Sequence, residues 1–212
     1  EEIKETVAES NFSNKAAVNS DDGCGQVKLA YEPTGRYLLH TWQSNESGYE
    51  WSNYLLRTIN SNGASFSATG SNTRIASTTH NQNPDHIRTV CEPIQQRFVI
   101  FSGKDRSVSN QNTCYVGTPS GTSVTFSNKT IVDTTTRECA ESDMTFDTTN
   151  NMVVVVYGVY NQGLKCVAGT MSNSGTMTWG SNQTIVSLSG NQMDGGVSVE
   201  YDSTTDRIVA IW

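Results

Sequence analysis

VSVEYDSTTDRIVAIW, residues 197–212, decides how this chain folds. An alternating segment runs into an acid, Asp202. A polar turn follows, then Arg207 and an apolar run. Alternation, turn chemistry and a second β-rich run predict an antiparallel hairpin. The same order occurs three times upstream, in VKLAYEPTGRYLLHTW (27–42), IRTVCEPIQQRFVIFS (87–102) and DMTFDTTNNMVVVVYG (143–158). The turn acids are Glu32, Glu92, Asp147 and Asp202, spaced by 60, 55 and 55 residues. Arg36, Arg97 and Arg207 close three of the turns, and Met152 stands at the fourth.

Working outward, the second half of the unit repeats too. NYLLRTINSNGASFSA (53–68), TCYVGTPSGTSVTFSNKTIV (113–132) and KCVAGTMSNSGTMTWGSNQTIV (165–186) each read as strand, Gly/Ser/Asn turn and strand. Phe66, Phe126 and Trp179 mark equivalent places. NFSNKAAV (11–18) then matches TFSNKTIV (125–132). The expected layout is a single repeat domain over 1–212. Residues 12–18 form the last strand of a preceding blade, 24–78, 84–133 and 139–187 are whole blades, and 194–212 is the first half of another.

Each unit is expected to hold four short antiparallel strands. In the third these are Met144–Phe146, Met152–Tyr157, Leu164–Met171 and Thr176–Val186, the last broken at Gly180–Asn182. Strand two is nearly continuous in apolar residues (RFVIF, MVVVVY, RIVAI), which implies burial on both faces. Sheets stacked face to face around an axis meet that demand. A four-stranded unit of about 40–50 residues with doubly buried inner strands therefore predicts a β-propeller, or a segment of one. The alternative is a β-sandwich, which needs neither the period nor the constant strand order.

Composition agrees with an all-β chain. Charged residues make up 17% and the formal net charge is −7. The 14 Lys and Arg are scattered, so no basic stripe for nucleic acid or an anionic membrane surface exists. No apolar run approaches the ~20 residues of a membrane-spanning helix. Ser, Thr, Asn and Gly are abundant, and such polar, turn-rich chains suit extracellular or virion-surface settings. EEIKETVAES (1–10) has the pattern of no secretory signal, and the absence of an initiating Met points to a processed chain or a piece of a longer one.

The stretches VSVEYDSTTDRIVAIW, YVGTPSGTSVTFSNKTIV and VAGTMSNSGTMTWGSNQTIV resemble the roughly 50-residue repeats of virion appendage (tail-fibre) proteins of aquatic bacteriophages. The resemblance extends from Phe12 onward. It implies a non-catalytic structural or attachment role, with other copies or subunits of an assembly as partners. A weaker resemblance links NSGTMTW (173–179) and SNGASF (61–66) to the Asp-box hairpins of sialidase-like propellers, which would imply a glycoside hydrolase. Ser61 stands where that motif has its aspartate, and the later copy has one residue too many before Trp179.

The chemistry-bearing residues mostly have structural readings. Acids that recur once per unit cannot all share one active site, so turn capping is expected of them, with the turn arginines paired across each hairpin. His40, His80 and His86 lack metal-ligand spacing, and no metal or cofactor is called for. Among Cys24, Cys91, Cys114, Cys139 and Cys166, a Cys114–Cys139 disulfide is the candidate link, buried free thiols being the alternative. Sequons at Asn11, Asn45, Asn128 and Asn182 are candidate N-glycosylation sites, and chance alone gives this many at such Asn and Ser/Thr content. Tyr49, Trp51 and Tyr54 are the candidate ligand-binding residues: aromatics near a hairpin tip can stack on sugar rings. Packing against a neighbouring sheet is the competing reading. A secreted carbohydrate-binding or adhesive glycoprotein is the second function considered.

Overall fold

Four hairpins with the same turn organise the chain. In the computed structural model, residues 24–46, 49–61, 63, 65–75, 86–105, 111–127, 129–134, 139–159, 161–187 and 196–212 are described. The first sheet contains β1 (Cys24–Glu32), β2 (Tyr37–Glu46), β3 (Tyr49–Ile59), β4 (Phe66–Thr69) and β5 (Thr73–Arg74). The second contains β6 (His86–Glu92), β7 (Arg97–Asp105), β8 (Gln111–Ser120), β9 (Ser123–Phe126) and β10 (Thr130–Asp133). The third contains β11 (Cys139–Asp147), β12 (Met152–Val159), β13 (Gly163–Met171), β14 (Met177–Trp179) and β15 (Gln183–Val186). The fourth is a hairpin of β16 (Ser198–Asp202) and β17 (Arg207–Ile211). The protein is all-β with antiparallel sheets, none closed on itself, and no helix occurs among the described residues.

Within each of the first three sheets the strands follow chain order, and the fourth strand is split into two short pieces that both pair with the third. The split in the third sheet falls between Trp179 and Gln183, where the Gly-Ser-Asn run interrupts the β pattern. One backbone bond marks the break in each of these three sheets: Gly70 N to Leu56 O, Ser127 N to Val116 O, and Gly180 N to Ala168 O. Just before it, two glycines lie under aromatic rings, since Gly117 pairs with Phe126 and Gly169 with Trp179. A Cβ on Gly169 would sit 2.5 Å from Trp179 Cε3, so only glycine lets the ring lie flat there.

The sheets pack face to face in chain order, and their first strands β1, β6, β11 and β16 lie successively side by side. Strand alternation assigns each side chain to one of two faces. On β7, Phe98 and Ile100 join a core with Leu39, Tyr54 and Leu56 of the first sheet. Val99 and Phe101 on the same strand join Val153, Val155 and Tyr157 of the third. Val156 and Leu164 in turn meet Val197 and Val199 of the fourth. The apolar runs of β7 and β12 are thus buried from both sides, as their composition requires, whereas the RIVAI run of β17 is not: Val209 and Ile211 are exposed, because no further sheet covers that face among the described residues. Residues 12–18 lie outside the described residues.

The sequence places Arg36 beside Arg97 and Arg207, and the register corrects this by one residue. Tyr37, Arg97, Met152 and Arg207 pair with the four acids. Arg36 instead shares the left-handed turn position with Gln96, Asn151 and Asp206, at φ 55, 58, 56 and 54. The turns are of equal length, so the arginine merely falls one step early in the first.

Candidate functional site

The repeated acids are built into their turns. The Glu32 carboxylate accepts the N–H groups of Thr34 and Gly35, both at 2.7 Å. Glu92 accepts those of Ile94 (3.0 Å) and Gln95 (2.8 Å). Asp147 accepts Thr149 N (3.0 Å), Asn150 N (2.9 Å) and the Asn150 side-chain amide (2.9 Å). Asp202 takes Thr204 N (2.9 Å) and the Thr205 hydroxyl (2.6 Å). Two otherwise orphaned N–H groups per turn are satisfied from within the turn. Burial alone would raise the Asp147 pKa, but the donations from Asn150 and Thr149 outweigh it and hold the carboxyl below its ordinary value. The Thr205 hydroxyl and then Thr204 N hold Asp202 low in the same way. Although Arg97 stands opposite Glu92 in the strand register, its side chain makes no ion pair with it; its guanidinium donates to Asn173 O (3.3 Å) on the next sheet.

A charged cluster sits where the first strands meet. Lys28 of β1, Arg88 of β6 and Asp143 of β11 occupy one register position, each four residues before its turn acid. Asp143 Oδ1 lies 3.6 Å from Lys28 Nζ and 3.8 Å from Arg88 Nε. Its Oδ2 accepts Val199 N of β16 at 3.0 Å. Arg88 donates Nε to Ser142 O and Nη1 to Ile87 O (2.8 Å), and Glu141 lies 3.8 Å from Nη2. One carboxylate on the third sheet therefore touches the other three. Two cations balance it, and a backbone donor fixes its orientation, which makes it a structural hub. No sequence motif marks these residues; an ionisable side chain four before the acid in three successive units is their one signal in the sequence.

The proposed aromatic trio is not gathered on one surface. Trp51 is buried, with the Arg74 guanidinium 3.7 Å from its ring centre. Tyr54 points to the opposite face, into the core between the first two sheets, edge-on to Phe126 at 5.0 Å. Tyr49 opens β3, and its side chain lies outside the description.

Cys114 is a free, fully buried thiol whose Sγ donates to Tyr115 O at 3.5 Å, so the expected link to Cys139 is not formed here. Its side chain points into the core between the second and third sheets. Cys139 starts β11, and its side chain is not among those described. Cys91 and Cys166 are also free. Burial pushes the Cys114 thiol up to about 12, and burial followed by the charges of Glu32 and Glu92 does the same for Cys91.

Asn182 is exposed in the break before β15. Asn45 lies on β2 with its side chain outside the description, as Asn11 and Asn128 are altogether. His40 lies on β2, His86 begins β6, and His80 is outside the described residues. Among the described residues, no three His, Cys, Asp or Glu side chains gather as a metal-holding group. No protein-family model, curated protein or solved structure matches this chain.

Proposed function

We propose that this chain is a run of β-propeller blades that serves as a rigid, non-catalytic scaffold in a virion appendage or other extracellular assembly, for structure or surface attachment. The observation that carries the propeller is Asp143. Sheets stacked squarely lie about 10 Å apart, so a single carboxylate could not reach neighbours one sheet away on one side and two away on the other. Convergence of the first strands on a common axis explains how it touches Lys28, Arg88 and Val199 together. A two-sheet sandwich offers no such point.

The scaffold role draws on how the repeated acids are used. Each is committed to the N–H groups of its own turn, an arrangement that stiffens hairpins. The appendage setting rests on the repeat resemblance. The second reading, a secreted carbohydrate-binding or adhesive glycoprotein, draws on Asn182, whose sequon is exposed.

The test combines two assays on one preparation: saturable binding of the labelled chain to bacterial cells and immobilised glycans, and turnover of a chromogenic sialoside. Saturable retention without turnover is the expected result. Hydrolysis would overturn the non-catalytic reading, and absence of retention on every surface would remove attachment from it.

A further inference from the structure

Arg97 is held unlike the other turn arginines. Arg36 and Arg207 are exposed at their turns. Arg97 instead crosses from the second sheet to the hairpin between β13 and β14, where its Nη2 reaches Asn173 O. Its guanidinium lies against Gly175, a buried residue with φ 81. A Cβ there would collide with Nη1 and sit 2.9 Å from Cζ, so only glycine admits the guanidinium. Gln95, two residues earlier on the same turn, anchors alongside by donating Nε2 to Met171 O at 3.3 Å. Nε and Nη1 of Arg97 have no partner among the described residues.

The hairpin that holds this guanidinium also carries three exposed hydroxyls. Ser172 Oγ accepts Thr176 N at 3.1 Å and lies 2.8 Å from Ser174 Oγ, which is 3.4 Å from Thr176 Oγ1. With Ser172 accepting from the backbone, its proton can pass to Ser174 and that of Ser174 to Thr176. The Thr176 proton is then left to point outward, and an outside acceptor aligns the whole row. Gly175 stands between Ser174 and Thr176, so the donors are grouped beside the guanidinium. We infer that Arg97 and the hydroxyls of Ser174 and Thr176 form a site for the carboxylate of an acidic sugar, the planar guanidinium fork gripping its oxygens.

An anion is chosen because every group offered is a donor. Glu92, the carboxylate opposite Arg97, is 4% exposed and committed to Ile94 N and Gln95 N. On a chain of net charge −7, an uncommitted guanidinium is where an anion can settle. The anchor at Asn173 has already fixed the side chain, so binding costs little further ordering. The site is open to solvent, which suits a group projecting from a larger surface polymer. It rests on the attachment reading above and names the group that attachment would grip.

The test titrates the chain with glucuronate, glucose and inorganic sulfate while heteronuclear NMR follows the Arg97 Nε–H and the amides of Ser174 and Thr176. Glucuronate should shift these signals saturably in the millimolar range, and glucose should not. Arg97→Gln should weaken binding at least about tenfold, and Ser174→Ala and Thr176→Val roughly three- to tenfold each. The last two change exposed positions, and circular dichroism verifies the fold of all three. No saturable shift in the wild type, or an equal one in Arg97→Gln, would overturn the inference. Glucose or sulfate binding as tightly as glucuronate would overturn the sugar carboxylate as its ligand. Retention on cells or glycans without a glucuronate response would remove this site and spare the attachment reading, and the converse would do the reverse.

Discussion

Lys28 Nζ lies 3.6 Å from the Asp143 carboxylate, although β1 and β11 belong to the first and third sheets. Asp143 also faces Arg88, whose side chain is only 7% exposed. Removing the carboxylate leaves a buried guanidinium short of one of its two carboxylate neighbours, Glu141 being the other. Asp143→Asn should cost about 2–4 kcal/mol in urea unfolding. Lys28 is 38% exposed, and Lys28→Met should cost less than about 1 kcal/mol. Equal losses would mean that Asp143 is no hub.

Asp147→Ala removes the acceptor of three donors in one turn and should cost about 1–2 kcal/mol. The native carboxyl is held below its ordinary value. Its contribution is therefore complete above about pH 4, the ordinary carboxylate range, and fades as pH falls through the lowered native value. Unfolding followed by tryptophan fluorescence should show an acid limb in the wild type that is shallower in Asp147→Ala.

Gly169→Ala sets a methyl against the Trp179 ring. A loss of about 1–3 kcal/mol is expected, with a change in near-ultraviolet circular dichroism as the indole moves. Gly63 meets nothing within 4 Å of an added Cβ, but its φ of 70 is left-handed, so Gly63→Asn should be tolerated better than Gly63→Val.

Burial, and then the charge of Arg57, lower the His40 pKa to about 4. The unfolded chain binds a proton near pH 6.5 that the native state refuses, so stability falls as pH drops from about 6.5 towards 4. Ile100 and Val155 occupy the equivalent position in the next two sheets. His40→Val should flatten this slope, gaining roughly 1 kcal/mol over the wild type at pH 5 once partial solvent exposure is allowed for. Parallel slopes would show that other groups set the dependence.

With its thiol at about 12, Cys114 holds only about one part in 10⁴ as thiolate at pH 8. Iodoacetamide should leave it unmodified in the native protein and label it after unfolding in urea without reductant. A Cys114–Cys139 bond would instead leave both unlabelled until reduction.

Local chemistry made much of the fold legible. The runs around Phe98–Phe101 and Val153–Tyr157 announced strands covered on both faces, and Gly180–Asn182 announced the broken fourth strand. Each acid lay within three residues of the N–H groups it accepts, so turn capping could be read directly. Arg36 was misplaced because pattern matching follows residue type, whereas register follows turn length. The Asp143 cluster was missed for a deeper reason: its members are distant along the chain and meet only because whole sheets stack. Trp51 and Tyr54 looked like one patch, yet their odd separation puts them on opposite faces of β3.

The acid inside each turn also bears on how such a chain comes to fold and to lengthen. A hairpin whose turn is satisfied by its own side chain sets its register through contacts a few residues apart, which are the quickest to form. Each new hairpin then needs only the one before it as a template, so order can spread along the chain like a zipper. Duplicating or deleting one unit in the gene would change the number of teeth and leave the pitch unaltered.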